Sequence, residues 1–155
     1  EKNRYGQIFE YMFVFSKGKP KTYNLIKDRK NKYTKINSGN ERQKNGTSKR
    51  INNVLLNEYG FRDNVWKYST GYKKSSTDEL AFKHPAIMPE KLAADHIISW
   101  TNKGDLVYDC FMGSGTTAKM SHIYKRNWIG SEMSKDYCLL ANKRIKTYID
   151  QLTMF

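Results

Sequence analysis

Apolar residues fall in separate clusters along this chain, and their spacing changes from one cluster to the next. Tyr5 to Phe15 (YGQIFEYMFVF) is dense in aromatic and β-branched residues and predicts a buried strand ending at Ser16-Lys17-Gly18. Lys17 to Arg50 shows no apolar period; Lys, Arg, Asn, Ser, Gly and Thr dominate it, and it cannot make a core of its own. A second aromatic patch, Tyr59, Phe61, Val65, Trp66 and Tyr68, predicts an irregular segment that packs back onto the body.

The last seventy residues read differently. His84-Pro85 to Pro89 forms a rigid lead-in, and Glu90 to Thr101 places Ala93, Ile97 and Trp100 on one helical face until Asn102-Lys103-Gly104 stops it. Leu106 to Tyr108 predicts a short buried strand, Cys110 to Gly115 a glycine-containing loop, Thr116 to Tyr124 a short helix and Asn127 to Gly130 another strand. Ser134 then caps a helix in which Tyr137, Ala141, Ile145, Tyr148 and Leu152 recur at helical spacing, with Ile149 a further core candidate. Alternating helices and short strands imply parallel strands joined by crossover helices, hence an α/β, Rossmann-like sheet.

Charge adds a second division. The net charge is +13 over 155 residues, but residues 1–83 hold 19 Lys/Arg against 8 Asp/Glu, whereas residues 84–155 hold 9 against 7. Such an asymmetry suits a polyphosphate partner, because neutralised phosphates release condensed counterions. Lys27, Arg29, Lys30, Lys32 and Lys35 are the candidate phosphate contacts, although a solvated charged surface has the same composition; Tyr23 and Tyr33 either stack on bases or pack. The longest apolar stretch falls short of a membrane span and no signal peptide opens the chain, so a cytoplasmic location is expected. Cys110 and Cys138 lack metal-like spacing and read as reduced thiols, while His96 and His122 have no ligand-spaced partners and are assigned to packing or surface, leaving no metal site. Trp66, Trp100 and Trp128 read as core anchors. The first residue is Glu1 rather than Met, and a start inside a longer reading frame is expected.

The run Asp109-Cys110-Phe111-Met112-Gly113-Ser114-Gly115-Thr116-Thr117 follows a strand and opens a helix, where open α/β sheets bind ligands. Gly113 to Ala118 also satisfies a loose dinucleotide pattern, which leaves a nicotinamide-dependent oxidoreductase as an alternative. A carboxylate at Asp109 would repel a pyrophosphate but attract the cationic methionyl ammonium and sulfonium of S-adenosylmethionine. No Gly-Lys-Ser/Thr follows the turn, which excludes a P-loop. Glu132, 17 residues after Gly115 at the end of the next strand, stands where an acid grips ribose hydroxyls, or it favours the N-terminus of the final helix.

DCFMGSGTTA, preceded by FKHPAIMPEKLAADHIISWTNKGDLVY and followed by RNWIGSEMSKDYCLLANKRI, resembles the β-class DNA amino-methyltransferases, closely over residues 82–145 and loosely at Tyr5 to Gly18 and Asn64-Val65-Trp66. The resemblance implies a partial Rossmann-like, S-adenosylmethionine-dependent methyltransferase fold with an irregular basic target-recognition insertion. It divides the chain into a core strand at 1–16, a recognition region at 17–83 and a cofactor-binding half at 84–155. Asp109, Cys110, Phe111, Gly113, Ser114, Gly115, Thr116 and Thr117 match the cofactor loop, Glu132 the ribose acid, and Phe82, His84 and Pro85 the segment bordering the methionyl group. Cys110 stands where the family usually has a proline that stiffens the turn.

The family's catalytic D/S/N-P-P-Y/W motif is absent from this stretch, since Pro20, Pro85 and Pro89 are never adjacent; no catalytic residue is assigned. The resemblance implies methylation of the exocyclic amino group of adenine or cytosine in DNA, with S-adenosylhomocysteine as product. It also implies a restriction endonuclease partner and a homodimer of the full-length protein. The alternative is a degenerate remnant that only binds nucleic acid.

Overall fold

The computed structural model describes residues 8–152, with side chains described to residue 150. Residues 8–15 form no strand: Ile8, Tyr11, Phe13 and Phe15 are exposed, and rings two residues apart contact one another along an extended segment, Phe9 with Tyr11 at 5.2 Å and Tyr11 with Phe13 at 6.1 Å. The expected buried strand is therefore corrected for 8–15, while Tyr5 to Gln7 lie outside the described residues. An apolar run becomes a strand only where a neighbouring strand accepts from its N–H groups and donates to its C=O groups, and among the described residues none does.

The basic region is more ordered than its composition suggests. Lys27–Lys30 (β1) pairs antiparallel with Tyr59–Phe61 (β4), and between them Lys35–Arg42 (β2) pairs antiparallel with Ser48–Leu55 (β3). The β2–β3 turn is built by Asn45-Gly46. Gly46 sits at φ 86°, its N–H donates to Gln43 O (3.0 Å), the Gln43 N–H donates to Thr47 O (2.8 Å), and Asn45 Oδ1 accepts from the Thr47 hydroxyl (2.7 Å). This is a type I turn closed by a left-handed glycine, a common three-residue hairpin loop. No residue from 17 to 74 is buried, so backbone ladders rather than a core hold these strands.

Residues 75–152 are organised by burial. A 3-10 turn, Glu79–Lys83, is capped by the Asp78 side chain accepting from the Leu80 N–H. Glu90–Trp100 (α1) follows; then Leu106–Asp109 (β5), Thr116–Ile123 (α2), Asn127–Gly130 (β6) and Lys135–Leu152 (α3). β5 and β6 are parallel neighbours with α2 as their crossover, one βαβ unit of the Rossmann type. Ala93, Ala94 and Ile97 of α1 pack with Met120, Val107 and Tyr124; Met112, Ala118, Ala141 and Ile145 pack with Trp128. The opposite sheet face is bare: Leu106, Tyr108 and Ile129 are more than half exposed, so β5 is half-covered rather than the buried strand expected. Ile149, a core candidate, is 38% exposed, and the Leu152 side chain lies outside the described residues.

The two regions meet at α1. Asn24 donates its backbone N–H to Ser99 O (2.8 Å) and its side chain to Ile98 O and Thr101 O. Arg62 reaches Asp28 on β1 and Asp95 on α1 (2.6 Å) and lies over the Trp66 ring, which also contacts His96 at 4.9 Å and Tyr68 at 6.4 Å. Tyr68 donates to the same Asp95 oxygen at 2.8 Å. Tyr23 stacks on Trp100 at 5.0 Å, taking the packing role.

Candidate cofactor site

Glycine makes the loop after β5 possible. Gly113 at φ 52° and Gly115 at φ 82° both occupy the left-handed region. Space is equally restrictive: a Cβ at Gly113 would lie 3.2 Å from His84 Nε2, and one at Gly115 would lie 3.0 Å from the Ala141 Cβ. Met112 crosses β6 at Gly130, where a Cβ would collide with its side chain at 1.9 Å, and its N–H donates to Ser131 O (2.9 Å).

Two carboxylates tie the loop down. Asp109 Oδ1 accepts from the Phe111 N–H (2.9 Å) and Oδ2 from the Thr117 hydroxyl (2.6 Å), so this acid first orders the turn and the start of α2. Glu132 Oε2 accepts from the Gly113 N–H and Oε1 from the Ser134 N–H, each at 2.9 Å. The Ser134 N–H, and then the Gly113 N–H, hold the Glu132 carboxyl below the usual carboxylate range. Glu132 is thus ionised at neutral pH, with one N–H on each oxygen and lone pairs to spare.

Of the residues expected here, His84, Asp109, Phe111, Gly113, Ser114, Gly115, Thr116, Thr117 and Glu132 converge on the loop. His84 lies against Gly113 and the Tyr137 ring (4.3 Å), with Nδ1 between the Ala86 N–H and C=O. Phe111 is 86% exposed at the lip, and the free Cys110 thiol is exposed beside it. Phe82 instead packs its ring on Tyr72 at 4.8 Å, and Pro85 is exposed. Met133, also fully exposed near Glu132, was not anticipated.

A larger omission lies beneath the loop. Arg144 of α3 is completely buried and spends every N–H: on Asp78, on Glu90 (2.6 Å), on Ser76, on the Ser114 carbonyl (3.0 Å) and hydroxyl, and on the Thr116 hydroxyl (3.0 Å). Lys119 of α2, 2% exposed, donates to the same Glu90 oxygen at 2.6 Å and lies 4.1 Å from the Tyr148 ring centre. Two cations and two carboxylates thus compensate one another, with Ser114 and Thr116 drawn into the group. The sequence offered one faint sign: Arg144 falls on the Ala141–Ile145 core stripe of α3.

The candidate phosphate contacts lie elsewhere. Lys27, Arg29 and Lys30 are exposed on β1, Lys32 lies over the Tyr33 ring, and Lys35 opens β2. Arg29 also pairs with Asp63 at 2.9 Å.

Residues 1–143 match the family model described as DNA methylase (N6_N4_Mtase). The chain belongs to this family, whose methyl donor is S-adenosylmethionine. It is 57% identical over 153 residues to the orphan methyltransferase M.BamHII of Bacillus amyloliquefaciens, an alignment covering 96% of this chain and 58% of that protein. It is 40% identical over 84 residues to the type II methyltransferase M.BglI of Bacillus subtilis, covering 54% of this chain and 22% of that one. A solved complex of M1.HpyAVI with S-adenosylmethionine overlays 60% of this chain and 42% of its own at 36% identity and TM-score 0.44. The chain therefore spans little more than half the length of the curated relative that covers it best among these. Membership in a methylase family displaces the nicotinamide-dependent oxidoreductase reading. The loop and its acids fit the family's cofactor: the Asp109 carboxylate at the strand end suits a cation rather than a phosphate, and Glu132 is a hydrogen-bonded carboxylate with lone pairs to spare for hydroxyls. Among the described residues no helix is long and apolar enough to cross a membrane.

Proposed function

We propose that the complete protein carrying this chain is an S-adenosylmethionine-dependent DNA methyltransferase of the restriction-modification type, acting on the exocyclic amino group of adenine or cytosine. In this reading the chain supplies the cofactor seat and the target-recognition region. The observation that carries it is the ionised Glu132 carboxylate pinned to the glycine loop by the Gly113 N–H, a fixed acceptor two residues past Gly130, the cross-strand partner of Asp109. When bound, the cofactor supplies an electrophilic methyl group. The residues of this chain do the holding: Glu132 accepts hydroxyl donors, Asp109 keeps the loop closed and offers its remaining lone pairs to the ammonium, and Phe111 offers an exposed ring at the lip. Lys27, Arg29, Lys30, Lys32 and Lys35 contact DNA phosphates. A restriction endonuclease partner, a homodimer and a cytoplasmic site of action belong to the same proposal.

Titration calorimetry tests the cofactor assignment: S-adenosylhomocysteine binds more tightly than NAD, and Glu132→Ala weakens it roughly 10-fold or more, because hydrogen bonds to a charged acceptor contribute about 1.5–3 kcal/mol each. Tighter binding of NAD would overturn it. A tritiated-methyl assay tests the division of labour. The 155-residue chain, with no adjacent prolines to form the target-holding motif, transfers no methyl to unmethylated genomic DNA, whereas the complete protein does. Incorporation by the chain alone would show that catalytic residues lie within it.

A further inference from the structure

The β2–β3 ribbon has two unlike faces. Cross-strand pairing sets Ser38 opposite Asn52, Asn40 opposite Arg50 and Arg42 opposite Ser48, and the two-residue period of a strand puts all six on one side. Every one of them is exposed, and none of their side chains makes a hydrogen bond or ion pair within the described residues. On the other face Gly39 pairs with half-buried Ile51, Glu41 with Lys49, and Gln43 donates to Glu41 (3.3 Å). One face carries a polar contact of its own, Gln43 to Glu41, beside half-buried Ile51; the other consists wholly of unspent donors and acceptors.

We infer that this polar face reads base edges in the major groove of duplex DNA, an inference that rests on the DNA-methyltransferase reading and adds the residues of sequence choice to it. The major groove admits a two-stranded ribbon; arginine suits the paired acceptors of guanine, asparagine the donor and acceptor of adenine, and serine either. The face carries two arginines, two asparagines and two serines and no acidic residue. From Ser38 to Arg42 it runs about 14 Å at strand rise, long enough for about four base pairs. Half-buried Ile36 lies against Gly39 and Ile51 on the opposite face, so the polar row is carried by the tip and middle of the ribbon, which enter the groove. Lys27, Lys30, Lys32 and Lys35, outside this face, set its register on the backbone without selecting a sequence. An A-form RNA duplex, with its narrow major groove, does not accept the ribbon.

The test is selection from a randomised duplex library by the complete natural protein with S-adenosylhomocysteine, followed by the same selection with Arg42→Lys, Arg50→Lys, Asn40→Ala and Asn52→Ala. Arginine-to-lysine changes keep the charge but lose the planar fork. Each variant relaxes preference at one or two positions by roughly 10- to 100-fold, while binding of unrelated duplex and its salt slope stay as in the natural protein. Replacing Lys27, Lys30 and Lys32 with Gln does the reverse: it weakens all sequences together and flattens the salt slope. Unchanged preference in all four variants, with circular dichroism showing the fold intact, overturns the assignment, as does a shift caused instead by Glu41→Gln or Lys49→Gln on the opposite face. If the natural protein binds S-adenosylhomocysteine but shows no duplex preference, the ribbon assignment fails while the cofactor reading stands; if it binds neither, the methyltransferase reading itself fails.

Discussion

The cofactor half and the basic ribbon place the same residue type under opposite rules. Arg144 is fully buried with every N–H engaged, whereas Arg42 and Arg50 stand exposed with none engaged. The first arrangement makes arginine part of the scaffold. The second leaves it available to something outside the chain. The cluster built by burial uses its polar groups internally, and the exposed Ser38-to-Arg42 face of the β2–β3 ribbon leaves its own unspent.

Substitution should separate the two rules most sharply at arginine. Arg144→Leu leaves Asp78 and Glu90 facing Lys119 alone, and breaking a buried ionic group of this kind costs about 3–5 kcal/mol. Arg50→Leu should change stability by less than about 0.5 kcal/mol. Urea unfolding followed by tryptophan fluorescence measures both; equal losses would erase the distinction between the regions.

Glycine gives a smaller contrast. Gly115 and Gly46 share nearly the same φ, 82° and 86°, but a Cβ at Gly46 meets nothing within 4 Å while one at Gly115 presses on Ala141. Gly46→Ala should cost about 1 kcal/mol from backbone strain, and Gly115→Ala about 2–3 kcal/mol because packing is added to it. Only the second should also weaken S-adenosylhomocysteine, read by calorimetry.

The smallest expected effect concerns pH. The Gly113 and Ser134 N–H groups hold the Glu132 carboxyl below the ordinary glutamate range in the folded chain, so its contribution to loop order is fully present above that range and fades as pH falls through the lower, folded value. Glu132→Gln should remove this acid-side dependence, read by amide exchange at Gly113 and Ser134 as pH is lowered through and below the ordinary glutamate range. The basic ribbon serves as the reference, since its side chains in that face make no internal bond to lose.

The sequence disclosed these regions unequally for physical reasons. Asn127 to Gly130 and the start of β5 fall where expected, because Gly104, Gly115 and Ser134 punctuate a segment whose apolar residues keep a regular period. β1 to β4 stayed hidden because their residues show no alternation, and the ladders rest on backbone bonds that composition does not record. Ile8 to Phe15 erred the other way, since apolar content alone does not provide a strand with a neighbour. At the site, Glu132 and the glycines were legible from their place after strands. Arg144 was not, because its carboxylate partners are brought to it only by the fold.

Separation along the chain also governs the order in which the fold assembles. Asp78 and Arg144 stand 66 residues apart, while β5, α2 and β6 join through neighbours close in sequence. Local contacts close first because their loops cost less entropy. As the chain emerges from the ribosome, Asp78 and Glu90 appear before Lys119, and Arg144 comes last of the four. Until α3 docks, the cradle beneath the loop holds two carboxylates against one cation and stays wet. Arg144 therefore completes the cluster: charge balance beneath the loop is reached only when α3 is in place.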